Sequence, residues 1–323
     1  MIEPGLATEP ISPPRLLFSR GCRGGIVRSI QERLTAGGYY AGVIDGIYGG
    51  GTERGVSEFQ RRSRLPVTSD MDDITWKALM SINLPTVFER VLQLTAAFEN
   101  HGFGVVRGNW DGAWLTWGIM GFTLRSGEIG RILLGLEMLD PNLLGSAFGA
   151  GSAILRHILR ASPAGQEQWA NVITDGATVR EPWRSGFERL GNQPVVQALQ
   201  LDVARSSYFL SAVRTAAVFR LRTERGLALA FDIHVQNGGI DAAARELILS
   251  RRAANDPADE PSHRVIIANA VADSAKPEFR DDVRARKLAI AIGEGAVHHE
   301  RIVTAHWGLA EYPAPEIAVS RLA

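Results

Sequence analysis

The 323-residue sequence has one cysteine, Cys22. That excludes an internal disulfide and a cysteine-based metal cluster. It has no excess of either charge: 35 basic and 35 acidic side chains cancel. Nothing in that balance points to nucleic acid or to an electrostatic membrane anchor. Long apolar runs are also missing. The best candidate, Ile129 to Leu159, is broken by Arg131, Glu137, Asp140, Pro141 and Arg156. It falls short of the roughly 18 uninterrupted apolar residues of a span and reads as packed helices. Residues 1 to 20 hold Pro4, Pro10, Pro13 and Pro14 and no apolar h-region. The expectation is a chain made in the cytoplasm without a signal peptide. What remains is ordinary globular composition, 45% hydrophobic and 22% charged, with room for two domains.

Residues 1–20 read as a flexible tail. A compact unit follows over 21–82. Ile26, Val27, Ile30 and Leu34 recur at helical spacing, and Gly37-Gly38 ends that helix. A turn-rich loop carries Asp45-Gly46. Thr52 is placed to cap a second helix bearing Val56 and Phe59, and a third short helix carries Trp76 and Leu79. The spaced set Gln31, Leu34, Gly42, Ile44-Asp45-Gly46, Tyr48-Gly49, Thr52, Phe59-Gln60, Leu65 and Thr75-Trp76 resembles the three-helix peptidoglycan-binding domain of wall hydrolases. The resemblance implies Asp45, Tyr48, Thr52 and Gln60 as contacts for glycan or stem peptide.

Pro85 stiffens a short linker, and Thr86 with Glu89 forms a capping box. The helix it starts carries Val87, Phe88, Val91, Leu92, Leu94, Thr95 and Phe98 near one face, and ends at Glu99-Asn100. A carboxyl on the last turn of a buried helix suits a general acid, because desolvation and the helix C-terminus both disfavour the anion. Asn109 to Ala113 is a turn by composition, and Trp114 to Phe122 reads as extended. Helical patterns dominate thereafter, over 129–139, 153–159, 195–201, 208–229, 242–251 and 279–292, with 255–262 as a polar surface loop. The fold class expected is mainly α: a small three-helix domain, then an α+β domain over 87–323 with one small β-hairpin or sheet.

Ala97-Phe98-Glu99-Asn100, Asp111 to Phe122 and, further on, Tyr208-Phe209 with Phe231-Asp232 resemble the family-46 chitosanases of the lysozyme-like superfamily. The resemblance implies Glu99 as the acid that protonates the glycosidic oxygen. Asp111 would be the base that activates water, and Thr116 would position that water. Glu128 would contact a sugar in a minus subsite. The family inverts, with roughly 6.5–9.5 Å between the carboxylates to admit the water. No metal or organic cofactor is implied. The chain departs from the family in a shorter acid-to-base spacing, in Ala113 where the family has arginine, and in Glu128 where it has aspartate. With the wall-binding module upstream, these shift the expected substrate to peptidoglycan. The implied protein is a monomeric muramidase, acting as an endolysin or as an exported antibacterial effector. An effector would have a cognate immunity protein as partner. A chitosanase, a lytic transglycosylase and a non-catalytic wall-binding protein are the alternatives.

Other features have plainer readings. Glu128 serves equally as an acid favouring a helix N-terminus. Of Trp110, Trp114 and Trp117, one is expected in the cleft, with Trp114 the candidate sugar contact, and the rest in the core. Asp232 reads as a buried carboxylate paired to Arg214 or Arg220. His298-His299-Glu300 lacks metal-site spacing and reads as a surface helix face. Gly145, Gly149 and Gly151 lack the following lysine of a phosphate loop.

Overall fold

A computed structural model describes residues 14–99, 102–109, 112–255 and 257–319, with residues 99, 318 and 319 described by backbone alone. The chain divides into two compact units. The first comprises residues up to Thr86 together with Thr304–Leu309, and the second comprises Val87–Val303 and the residues from Ala310. Residues 304–309, expected within a second domain over 87–323, thus belong to the first unit.

In the first unit, strand β1 (Leu16–Phe18) precedes helices α1 (Gly25–Ala36) and α2 (Gly50–Arg62). Strand β2 (Met71–Asp72) pairs antiparallel with β1 and leads into α3 (Asp73–Met80). Leu17 and Phe18 are buried and Leu16 is exposed, so residues 17 and 18 are core rather than tail. Proline-rich composition masked a strand too short to show alternation. Helix α1 buries Val27, Ile30, Gln31 and Leu34, and stops before Gly37. Helix α2 starts at Gly50 with Gly49 at its cap, so Thr52 lies one turn inside and is buried. Residues 304–309 pack into this unit, where the Arg23 amide donates to the His306 carbonyl at 2.9 Å and the Cys22 thiol donates to the Ala305 carbonyl at 3.3 Å.

Two buried glutamines organise the unit's loops. Gln31 donates to Asp45 Oδ1 at 2.9 Å, to the Ile47 carbonyl at 3.0 Å and to Thr52 Oγ1 at 3.2 Å, and accepts from the Gly46 amide at 2.8 Å. Gln60 likewise donates to Thr68, Asp70 and Thr75 and accepts from the amides of Thr68 and Ser69. A buried primary amide is stable only when both its ends are satisfied, and these two are.

The second unit opens with α4 (Val87–Glu99), then the antiparallel strands β3 (Val106–Arg107), β4 (Thr116–Trp117) and β5 (Phe122–Thr123), with β4 central. Helices α5 (Glu128–Leu139), α6 (Pro141–Phe148), α7 (Gly151–Ile158) and α8 (Pro163–Ile173) follow. A two-residue hairpin, β6 (Thr174–Asp175) and β7 (Thr178–Val179), precedes α9 (Trp183–Gly191) and α10 (Pro194–Ala204). A π turn, Arg205–Phe209, joins α10 to α11 (Leu210–Val218). Then come α12 (Glu224–Asn237), α13 (Ala242–Ala254), α14 (Glu260–Ser274), α15 (Arg280–Ile292), the hairpin β8 (Glu294–Val297) and β9 (Glu300–Val303), and α16 (Pro315–Val319).

Helix α12 is the centre of this unit. Every residue from Gly226 to Ile233 is buried, as befits a helix apolar on all sides and surrounded by others. Helix α4 lies against it, with the Phe88 ring 5.0 Å from that of Phe209 and 6.3 Å from that of Phe231. Two buried ion clusters tie α4 down. Arg90 grips Glu224 with two parallel bonds of 2.7 and 2.6 Å. Near the other end of α4, Thr95 donates at 3.2 Å to Asp232, which also accepts from Arg286 and Lys287. Asp232 is thus the buried structural carboxylate expected. Its cations come from α15, not from Arg214 or Arg220.

His298 and His299 form the turn between β8 and β9, both at positive φ. They are not a helix face. His298 pairs with Asp282 at 2.6 Å. Gly145, Gly149 and Gly151 fall at the junction of α6 and α7. Among the described residues no helix is long and apolar enough to cross a membrane.

Candidate functional site

Helix α4 delivers Glu99 to its C-terminal end. Asp111 and Trp110 lie outside the described residues. The segment that carries them joins β3 to β4, so its two ends are fixed by the sheet. Val106 pairs with Trp117 and Arg107 with Thr116, and on the other side Thr116 pairs with Thr123. Thr116 is therefore on the central strand. It is 9% exposed, and its hydroxyl has no hydrogen-bond partner among the described residues.

The sheet is braced from behind. Trp117 is fully buried, stacks edge-on to Phe187 at 5.2 Å and donates to the Phe187 carbonyl at 3.2 Å. Gln200, on α10, is buried. It donates to the Phe103 carbonyl at 2.9 Å and accepts from the Ile119 amide at 3.0 Å. One side chain thus clamps the segment after α4 to the turn after β4. Gly118 makes room for it. With φ at +86°, an added Cβ there would lie 2.4 Å from Gln200 Oε1. Nothing in the local sequence around Gln200 announces this role, because its partners are 97 and 81 residues away.

Glu128 is the first residue of α5 and 6% exposed. Its carboxylate accepts from the Thr123 amide at 3.2 Å, from Ser126 Oγ at 2.8 Å and from the Tyr208 hydroxyl at 2.5 Å. It closes the β5–α5 turn from inside, and the helix-start reading describes it. Trp114, at φ +69°, is only 9% exposed; its amide donates to Asn109 Oδ1 at 3.1 Å. Its indole is packed into the protein, which leaves little surface for a sugar.

A shallow concavity of about 420 Å³ adjoins this site. It is lined by Gly112, Ala113, Thr123, Arg125 and Ser126. The sequence reading passed over Arg125.

In the first unit, Tyr48, Thr52 and Gln60 are interior, at 0%, 1% and 0% exposure. Tyr48 donates to the Ser69 carbonyl at 2.8 Å, and burial pushes its hydroxyl pKa up. These three hold the loops and are not surface contacts. Asp45 is exposed, but its carboxylate accepts from Gln31 and from the Ile47 amide at 2.8 Å. Those two bonds hold its pKa below the usual carboxylate range. The signature residues are thus mostly scaffold, because loop geometry demands them as strictly as a ligand would.

The surface of this unit instead offers a groove of about 790 Å³ between the 39–42 loop and α2, lined by Tyr39, Tyr40, Gly51, Arg54, Glu58 and Arg61 among others. Helix α2 comes this close because residue 55 is glycine: a Cβ there would lie 3.1 Å from the Tyr39 carbonyl oxygen. Glu58 is bound by Arg62, at 2.7 Å, and by Arg61. Both hold its pKa below the ordinary value. Arg54 is exposed and has no acidic partner among the described residues. Two tyrosines beside an available guanidinium suit a sugar ring bearing an anionic substituent.

Comparison with known proteins agrees with this division. Residues 23–79 match the family model described as "Putative peptidoglycan binding domain". No curated protein matches the chain. A mutant chitosanase from Bacillus subtilis solved with six glucosamine units superposes at a TM-score of 0.50 and 20% identity, covering 69% of this chain and 98% of that one. The native form of that chitosanase aligns at 0.47 and 20%, over 71% and 100% of the two chains. A Gynuella sunshinyii chitosanase in complex with chitotetraose aligns at 0.47 and 18%, over 68% and 98%. The chain therefore joins a mainly α domain with the fold of a chitosanase to a module of the peptidoglycan-binding type.

Proposed function

We propose that this chain is a glycoside hydrolase that cleaves the glycan strand of peptidoglycan by inversion, as a muramidase. The observation that carries the reading is the pairing of the two units: a wall-binding module and a chitosanase-type fold whose first helix ends in Glu99 and runs into a three-stranded sheet. In this reading Glu99 protonates the departing glycosidic oxygen, Asp111 deprotonates a water, and that water attacks the anomeric carbon from the opposite face. The hydroxyl of Thr116 holds the water for Asp111. The wall-binding groove at Tyr39, Tyr40 and Arg54 keeps the enzyme on its insoluble substrate and raises the local concentration of cleavable bonds. The chain acts at the bacterial wall, and no step calls for a metal.

Turnover on purified sacculi and on chitosan tests this reading. The expected result is new reducing ends from sacculi at a rate well above that from chitosan. Glu99→Gln should lower it by about 10²-fold or more, the scale of general acid catalysis. A second reading, a chitosanase, draws on the fold shared with the Bacillus subtilis enzyme; faster turnover on chitosan than on sacculi would select it.

A further inference from the structure

The geometry points to Arg125 as the residue that selects the glycan by its charge, by binding the carboxylate carried on the lactyl group or stem peptide of a muramic acid residue. This rests on the peptidoglycan reading above and specifies what the site recognises.

Arg125 lies in the turn between β5 and α5, and it is exposed. Its backbone amide donates to the Ala113 carbonyl at 3.3 Å. Its Nη1 donates to the Gly112 carbonyl at 3.2 Å. These two bonds fix the turn and the guanidinium directly beside the residues that follow Asp111. A guanidinium has five N–H donors, and Arg125 has no acidic partner among the described residues. Among the described residues no other group takes its remaining donors, and the side chain lines the concavity.

That concavity has a definite electrostatic character. Of Gly112, Ala113, Thr123, Arg125 and Ser126, only Arg125 is charged. Thr123 and Ser126 bond each other through their hydroxyls at 2.6 Å. The nearest carboxylate of the turn, Glu128, faces inward and accepts from three protein donors. Among the described residues, a glucosamine ammonium at this surface meets a cation and no available acid. A carboxylate meets a charge-assisted, fork-shaped donor. Repulsion of the one and attraction of the other act together, which is how a small surface obtains selectivity.

The test is a binding titration with a tetrasaccharide of alternating N-acetylglucosamine and N-acetylmuramic acid, in two forms: free lactyl carboxylates, and the same groups as methylamides. The full chain carries Glu99→Gln so that the ligand is not consumed, and Tyr40→Ala with Arg54→Ala throughout so that the groove of the first unit does not add its own preference for the acid. The expected result is that the acid binds about tenfold more tightly than the amide, the scale of one hydrogen bond to a charged group. Arg125→Ala should bring that ratio close to one, and Arg125→Lys should retain part of it. A ratio that survives Arg125→Ala overturns the proposal. So does an acid that binds no tighter than the amide, including a failure of both to bind. Hydrolysis of sacculi by the unaltered chain is measured separately. Its presence alongside either negative result removes the role of Arg125 and leaves the muramidase reading standing.

Discussion

Asp232 is the residue whose environment makes the sharpest demand. Burial alone would raise its pKa, but Arg286 and Lys287 reverse the effect and bring it from an ordinary 3.8 to about 2. Its folded pKa is depressed, so the stability it contributes is fully present above about pH 4. That contribution is lost as pH falls from about 4 to about 2. The drop should amount to about 2 kcal/mol, read as acid-induced loss of stability in denaturant titrations. Asp232→Asn at neutral pH removes the buried carboxylate that both Arg286 and Lys287 bond, and should cost about 3–5 kcal/mol. The same variant should flatten the stability profile below pH 4; a profile unchanged by it would contradict the assignment. Burial of this carboxylate was legible in the sequence, because an aspartate inside L-A-L-A-F-D-I has no route to water on an apolar helix. Its partners were not, since Arg286 and Lys287 lie 54 and 55 residues further on.

At the level of elements, the sheet that frames the site depends on a side chain outside it. Gln200→Ala removes the clamp between Phe103 and Ile119 and should cost about 1–3 kcal/mol. Glycan hydrolysis should fall by more than that stability loss explains, because the sheet that holds both ends of the β3–β4 connection loses its brace. Gly118→Ala should act the same way, since it places a Cβ against Gln200 at positive φ; about 1–3 kcal/mol is expected from the backbone alone. Thermal melts run beside activity assays separate the two effects. If both variants keep full hydrolysis at a temperature where they are folded, the clamp does not position the site.

The same scale shows why some elements could be read and others not. Helices α1 and α2 each bury one face, and that periodicity is plain; α4 is buried around most of its circumference, with a narrow outward stripe at Glu89, Gln93 and Ala97. Helix α14 buries Ile267, Ala268, Ala270, Val271 and Ala272 around most of its circumference, so no stripe marks it, and the polar run 255–262 hid its start. The β8–β9 turn uses His298-His299 at positive φ, where asparagine and glycine are the usual signal. Hairpins of two residues per strand, such as β6–β7, are too short for alternation to register.

For the whole molecule, two units with separate cores imply two separable activities. In the reading proposed above, wall retention falls to the groove at Tyr39, Tyr40 and Arg54. The double variant Tyr40→Ala and Arg54→Ala should reduce co-sedimentation of the full chain with sacculi about tenfold or more, from loss of an aromatic contact and a charged hydrogen bond. Cleavage of soluble glycan fragments should be retained, and loss of both together would argue against separate sites. The two-unit plan was legible because a spaced signature marked the first unit and Glu99 to Phe122 marked the second. The roles of Tyr48, Thr52 and Gln60 were not, since a signature states which residues recur and not whether they face the ligand or the core.

In the proposed mechanism Glu99 and Asp111 hydrolyse the peptidoglycan glycan strand with water as the acceptor. Mass spectrometry of the fragments released from purified sacculi tests it most directly, comparing the unaltered chain with Glu99→Gln and Asp111→Asn. Muropeptides with a reducing N-acetylmuramic acid are expected from the unaltered chain and almost none from either variant. Fragments ending in 1,6-anhydromuramic acid, an active Asp111→Asn variant, or no fragments from the unaltered chain would contradict it.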